Sequence, residues 1–228
     1  MKHILLYLSI LPSILLGFYI YKKDVVEKEP ISLLIRSFIG GVVSGILVII
    51  LSIILKINEF PLETSTQILF YSFILVALLE ESIKFLMTYL LAYKNKEFNY
   101  QYDGIVYASF VSLGFATYEN LLFVFEQGSI QTAIYRGLLT VPAHVFFAIF
   151  MGYYLGLAKH YRRYNSKKKE RKYLCLSYIV PIVLHGFFDY CLFSQSVTGI
   201  LFFLIFIFIL YIISFKKVKE VSELQKHI

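Results

Sequence analysis

The chain has 228 residues; 58% are apolar, 16% are charged, and the mean hydropathy is +0.71. A soluble domain carries about 25% charged residues, and a water-soluble globule of this size could not bury so much apolar surface. Cys175 and Cys191 lie in one predicted helix, too far apart along its axis for a disulfide. No Cys/His spacing typical of a structural zinc finger occurs. The composition therefore indicates an integral membrane protein.

Seven apolar stretches are long enough to cross a bilayer core about 30 Å thick, which takes about 20 helical residues. Polar or charged connectors separate them, and the first stretch lacks the small-residue cleavage site of a signal peptide. We therefore predict an all-α, multi-pass bundle of seven transmembrane helices that forms a single domain over 1–228. The predicted spans are 3–21, 31–55, 68–93, 104–125, 137–158, 173–193 and 197–215.

The distribution of lysine and arginine predicts the orientation of the bundle. With the N-terminus outside and the C-terminus inside, the cytoplasmic segments hold 17 of these residues and the outer segments hold 3, as the positive-inside rule requires. The basic run 159–172 is predicted to lie against anionic membrane lipid. The net charge of +7 therefore needs no nucleic-acid partner.

Ionisable side chains occur inside four consecutive predicted spans, where each costs roughly 2.5–3.5 kcal/mol. Such groups persist when they pair, contact water, bind an ion or catalyse a reaction. Residues three or four apart share a helix face, and the depths of these residues in their spans are similar. We therefore predict one polar pocket, between the outer surface and the midplane, built by spans three to six. Its candidates are Glu80, Glu81 and Lys84, then Glu119 and Asn120, then His144, and last His185 and Asp189.

These residue types suit peptide hydrolysis, which needs an activated water, an acid for the leaving amine and a donor for the oxyanion. Adjacent helical residues point about 100° apart, so only one of Glu80 and Glu81 is expected to face the water. Imidazoles and carboxylates also favour zinc with an open position for water. Activation with zinc and activation without metal both stay open at this point.

Four motifs on successive spans resemble the PrsW family of bacterial intramembrane proteases. That family is similar to CAAX prenyl endopeptidases and bacteriocin-processing proteins, which show EExxxR, FxxxH and HxxxN or HxxxD. Here Lys84 follows the second glutamate by three residues, where those relatives have an arginine four residues on, and Glu119 replaces the first histidine, both as in the PrsW variant. The resemblance covers about residues 70–195 and rests on Glu80-Glu81-x-x-Lys84, Phe115-x-x-x-Glu119, His144 and His185-x-x-x-Asp189.

The resemblance implies a peptidase of the bacterial cytoplasmic membrane, with a catalytic core of about 68–193. It implies site-1 cleavage of a single-span anti-sigma factor on the extracytoplasmic side, which starts a stress response. Glu80 would be the general base, and Glu81 and Glu119 would help to hold water or metal. His144 and His185 would be metal ligands or oxyanion donors, with Glu119 as a further metal ligand and zinc as the metal. Asp189 would orient His185, and Lys84 and Asn120 would support the site.

Two alternative functions use the same residues. A proton- or ion-coupled transporter also places glutamate, aspartate and histidine in a membrane, but no inverted repeat is evident. A catalytically silent partner-binding protein could keep every motif as a binding pocket. No pattern in the sequence singles out substrate-binding residues. Gly41-x-x-x-Gly45 and Gly152-x-x-x-Gly156 are typical of close helix packing.

Overall fold

The computed structural model describes residues 2–224, which form seven helical rods and contain no strand. The predicted all-α architecture is therefore confirmed. Six of the rods are long and apolar enough to span a membrane by length and composition; the remaining rod is α3, which is divided as described next. The rods are α1 (Lys2–Lys23), α2 (Ile31–Ile54), α3 (65–93), α4 (Gln101–Gln127), α5 (Ile130–Arg163), α6 (Lys167–Phe193) and α7 (Val197–Leu224).

The third rod, α3, alternates between α-helical and wider π-helical turns. It begins at a capping box, in which Thr64 Oγ1 accepts from Gln67 N and Gln67 Oε1 accepts from Thr64 N. Isolated π turns are rare and frequently mark functional sites, and here the first π segment ends three residues before Glu80. In order, α3 comprises Ser65–Phe70, the π segment Tyr71–Ala77, Leu78–Thr88 and the π segment Tyr89–Tyr93.

The fifth rod, α5, has the same kind of interruption. It consists of Ile130–Tyr135, the π segment Arg136–Thr140 and Val141–Arg163. Pro142 lacks an N–H and cannot hydrogen-bond to the turn before it, which is where the π segment lies. The interruption therefore has a local cause in the sequence, and it changes the phase between Arg136 and the residues that follow Pro142.

Helices α4 and α5 form the centre of the bundle, and α4 also packs against α1 and α2. Gly104 of α4 and Gly152 of α5 meet backbone to backbone, so a Cβ on either glycine would overlap the main chain of the other helix. Gly41 of α2 meets the carbonyl of Val111 in the same way. The close packing predicted at Gly41 and Gly152 is confirmed.

Hydrogen bonds in the apolar interior attach α4 to α1. Asn120 Nδ2 donates to the carbonyl of Ser9 at 2.9 Å, and Thr117 Oγ1 donates to Ser13 Oγ at 2.6 Å. All four residues are buried. An unpaired polar group is costly inside a bilayer, so these bonds fix the rotation of α4 about its own axis. In this rotation Glu119 faces α5.

The connector 24–30 between α1 and α2 carries two buried carboxyl groups beside the start of α4. Asp24 and Glu29 are 1% and 3% exposed, and each has a buried carboxyl oxygen without a hydrogen-bond partner within the described residues. Burial and the neighbouring Asp103 carboxylate raise the pKa of Asp24 to about 6 and that of Glu29 to about 10. A carboxyl with a raised pKa destabilises the fold progressively as the pH rises above its unfolded pKa.

Glu29→Gln is therefore expected to raise the melting temperature at pH 8 and to leave it nearly unchanged at pH 4. The glutamine copies the neutral carboxyl, and 1 kcal/mol corresponds to about 2–4 °C for a chain of this size. Thermal unfolding in detergent at both pH values measures the difference. The matched control is Glu27→Gln, at an exposed carboxylate of the same connector. An equal effect in both variants, or at both pH values, would contradict the burial argument.

Candidate active site

Helices α3 to α6 bring the predicted ionisable residues together in the interior of the bundle. Glu80, Glu81, His144 and His185 are all buried, and each offers a nitrogen or oxygen atom within 4.8 Å of those of the others. The pocket predicted from the motif spacing is thus present. Of the remaining predicted residues, Lys84, Glu119 and Asp189 contact this group directly, and Asn120 is connected to it through Arg136 and Glu119.

The two adjacent glutamates differ in how tightly they are held. Glu81 Oε1 lies 2.5 Å from Lys84 Nζ and 2.9 Å from His185 Nδ1. Glu80 Oε2 lies 3.5 Å from Lys84 Nζ and 3.9 Å from His185 Nε2. Only Glu80 lines the cavity described below. Glu81 is therefore a structural partner of Lys84 and His185, whereas Glu80 is loosely held and accessible from the cavity.

Lys84 connects the glutamates to the imidazole on α5. Its Nζ lies 3.4 Å from His144 Nδ1 and 4.3 Å from the centre of the Phe115 ring. An ammonium group can only donate, so Nδ1 of His144 accepts. The ring of Phe115 stabilises the ammonium through a cation–π contact, which gives a physical role to the phenylalanine one turn before Glu119.

A carboxylate beside Nε2 orients each of the two imidazoles, His144 and His185. His144 Nε2 donates to Glu119 Oε2 at 3.0 Å, and His185 Nε2 lies 3.3 Å from Asp189 Oδ2 one turn later on α6. Ser112 Oγ also donates to the main-chain carbonyl of His144 at 2.8 Å, which ties α4 to α5 beside the site. Such partners fix the tautomer and the ring orientation of a histidine.

Arg136 is a site residue that the sequence reasoning missed, because it was counted only as an outer-side charge. Its Nη2 donates to Glu119 Oε2 at 2.9 Å, its Nε donates to Asn120 Oδ1 at 3.2 Å, and its guanidinium lies 4.2 Å from the centre of the Phe123 ring. In a regular helix, Arg136 would point about 80° away from His144. The π segment alters this phase, so helical periodicity could not have found the contact.

A cavity of about 650 Å³ leads to these residues, within the size range of small-ligand sites. It lies towards the end of the bundle that carries the connector 55–64, which is the predicted outer end. Charged and imidazole groups lie at its base, and apolar side chains form most of its walls. The polar residues at the base are Glu80, Glu119, Arg136, His144, His185 and Asp189.

The fold and the site together define a membrane-embedded protein with a buried cluster of carboxylates and imidazoles on four successive helices. The chain matches the model of the family described as PrsW family intramembrane metalloprotease over residues 29–214. It belongs to that family. It is therefore a peptidase of the bacterial cell membrane.

Curated relatives agree with this assignment over nearly the whole chain. The chain is 34% identical to the Protease PrsW of Clostridioides difficile (strain 630), covering 100% of this chain and 95% of the relative. It is 37% identical to that of Geobacillus kaustophilus (strain HTA426), with coverage of 84% and 80%. It is 35% identical to that of Bacillus subtilis (strain 168), with coverage of 95% and 96%. No solved structure matches the chain.

The residues present fit the metal that the family description implies. Imidazole nitrogens and carboxylate oxygens are the donors that zinc takes, and four such residues lie within reach of one another. The carboxylates of the site outnumber its two cations, Lys84 and Arg136, by two, so one divalent ion balances the charge when both imidazoles are neutral. Glu119 is not part of the group of four, and its role as a metal ligand stays a prediction.

The contrast between the adjacent glutamates predicts two different losses. Glu80→Gln should lower kcat/KM by about 10²–10⁴-fold, the usual share of a general base, with little change in melting temperature. Glu81→Gln should lower the melting temperature by about 5 °C or more, because it takes charge away from the buried Lys84 ammonium. Cleavage kinetics and thermal unfolding of both variants check this. Equal losses of stability would contradict the assignment of distinct roles.

Arg136 is expected to act by positioning Glu119. Arg136→Ala should lower kcat by about tenfold or more while KM changes less, because the Glu119 carboxylate that orients His144 loses its partner. Arg136→Lys keeps the charge but not the planar fork, so its activity should be intermediate. The control is Lys56→Ala, which removes a cation with 72% side-chain exposure at the same predicted outer end. A fall in melting temperature without a fall in kcat would contradict the positioning role.

Proposed function

We propose that the chain makes the site-1 cut in a single-span, membrane-bound anti-sigma factor on the extracytoplasmic side, with water activated by Glu80. The observation that carries the proposal is the cavity, which links Glu80, His144 and His185 to the end of the bundle predicted to face outwards. The excess of lysine and arginine in the opposite connectors supports that orientation. That cut would start regulated proteolysis, which would free a sigma factor and so start a stress response.

Glu80 is the residue best placed to take a proton from water. It is one of two adjacent carboxylates, it faces the cavity, and its contacts of 3.5 Å and 3.9 Å leave its oxygens available. The same carboxyl then returns the proton to the leaving amine, as general acid–base catalysis of amide hydrolysis requires. Lys84 offsets one of the two charges of the glutamate pair and leaves Glu80 open to the cavity.

His144 and His185 act on the other side of the scissile carbonyl. They would serve as metal ligands with Glu80 or Glu81. To donate to the oxyanion instead, a ring would have to exchange the partner on Nδ1, because both nitrogens of each ring contact Lys84 or a carboxylate. When bound, a divalent metal such as zinc supplies Lewis acidity that polarises the carbonyl and makes water nucleophilic near neutral pH. Glu119 and Asp189 hold the two rings in place in either case.

The test is cleavage of a single-span anti-sigma factor in proteoliposomes. Wild-type protein should cut it on the outer side of the span, and Glu80→Gln and His185→Ala should each lose at least about 100-fold in rate. Mass spectrometry of the fragments locates the cut. Metal analysis of the same protein should find about one bound divalent ion per chain, and a chelator should stop cleavage that zinc restores.

Several outcomes separate this proposal from its alternatives. A folded wild-type protein that leaves the anti-sigma factor intact would contradict the substrate assignment. Cleavage on the cytoplasmic side would contradict the orientation. An ion flux through the same liposomes, abolished by Glu80→Gln, would favour the transporter. Full activity after complete removal of metal would favour activation of water by Glu80 alone.

A further inference from the structure

Helix α2 packs against only one half of α3. It contacts Leu78–Thr88 and Tyr89–Tyr93, the half towards the predicted cytoplasmic side. It makes no extensive contact with Ser65–Phe70 or Tyr71–Ala77, which pack against α6 instead. The two helices therefore diverge towards the predicted outer end and leave a wedge-shaped space between them, which we call the α2–α3 cleft.

The cavity that reaches Glu80 extends through this cleft. Its walls there are mostly aliphatic, and its polar groups are hydroxyls and one amide near the outer end. Leu79 lies beside Glu80 in sequence, so the cleft leads directly to the candidate base. The cleft residues are Gly45, Val48, Ile49, Ser52 and Ile53 of α2, Asn58 of the following connector, and Tyr71, Leu75, Val76 and Leu79 of α3.

The flanks of the cleft face the membrane. On the α2 side, Ile50 and Ile53 are 47% and 66% exposed, and on the α3 side Phe70 and Ile74 are each 46% exposed. Exposed aliphatic and aromatic side chains at this depth in a membrane-spanning bundle contact lipid chains. The cleft thus opens sideways into the outer half of the bilayer, and its continuous apolar flanks offer no barrier to a helix that diffuses in the membrane.

We propose that the α2–α3 cleft is the docking surface for the transmembrane segment of the substrate, which enters from the lipid and presents its unwound outer end to Glu80. This inference rests on the proposed function. The occupant is a single-span helix with an apolar outer end, because aliphatic walls accept apolar side chains and exclude charged ones. Gly45 lets the ring of Tyr118 pack directly against α2 at the wall of the cleft, where a Cβ would overlap that ring.

The polar atoms of the cleft suit the unwinding that cleavage needs. A helical peptide bond is shielded because its N–H and C=O groups are hydrogen-bonded within the helix. Unwinding it in lipid frees groups that must find new partners. Ser52, Asn58 and Tyr71 supply hydroxyl and amide groups along the path of the substrate. A segment that leaves its helix at the mouth of the cleft can therefore hydrogen-bond before it reaches the base.

Site-specific photo-crosslinking in proteoliposomes tests the docking surface. A benzophenone side chain is placed at Ile49 or Leu75 in the cleft of a Glu80→Gln protein, which keeps the substrate intact. Matched controls carry it at Phe202 or Ile205 on the lipid-facing side of α7, which are 55% and 56% exposed. The probe is the single-span anti-sigma factor used for cleavage. Crosslinks from the cleft should exceed those from α7 at least fivefold.

Kinetics give a second measurement. Leu75→Trp narrows the cleft and should raise KM for the membrane-anchored probe at least fivefold, whereas Ile205→Trp on α7 should not change it. Cleavage of the probe by wild-type protein together with equal crosslinking from cleft and α7 would overturn the docking surface alone. Neither cleavage nor cleft crosslinks would overturn both proposals. Cleft crosslinks without any cleavage by wild type would support docking and overturn the proposed activity.

Discussion

The structure depends on the burial of one ammonium group among groups that can pair with it. Lys84 is 2% exposed, and its Nζ contacts both glutamates of α3, a nitrogen of His144 and the face of Phe115. Without those partners, an isolated charge at this depth would cost roughly 2.5–3.5 kcal/mol or more. With them, the lysine joins α3 to α4 and α5. These electrostatic contacts are directional, so they fix the relative orientation of the helices more specifically than apolar packing does.

The same arrangement distinguishes tightly held side chains from one loosely held carboxylate. Glu81 and Arg136 are fully engaged with opposite charges, and they hold His185 and Glu119 in turn. Glu80 has only long contacts and faces the cavity. In this arrangement the Glu80 carboxylate stays available, while Glu81 and Arg136 hold the surrounding side chains in fixed positions.

Much of this site could be predicted from the spacing of polar residues in apolar spans. The i+3 and i+4 relations of Lys84 and of Asp189 follow from regular helical geometry, and the structure confirms both contacts. The contact of Arg136 with Glu119 could not be predicted, because it depends on π turns that break the helical period. The α2–α3 cleft was equally hidden, since the divergence of two helices depends on packing with third partners. The number and order of the helices needed only hydropathy, which is a local property.

The backbone contact between Gly104 of α4 and Gly152 of α5 fixes the angle between these two helices at a point remote from the candidate site. Glu119 lies 15 residues from Gly104 and His144 lies 8 residues from Gly152. Along the helix axes these separations are roughly 22 Å and 12 Å. A change of a few degrees in the angle between α4 and α5 at this contact would shift the Glu119 and His144 side chains by about an ångström, enough to break their hydrogen bond. The hydrogen bond from Ser112 Oγ to the carbonyl of His144 connects α4 and α5 at a second point. Two glycines remote from the candidate site, together with one serine hydroxyl, thereby determine how closely Glu119 and His144 are aligned.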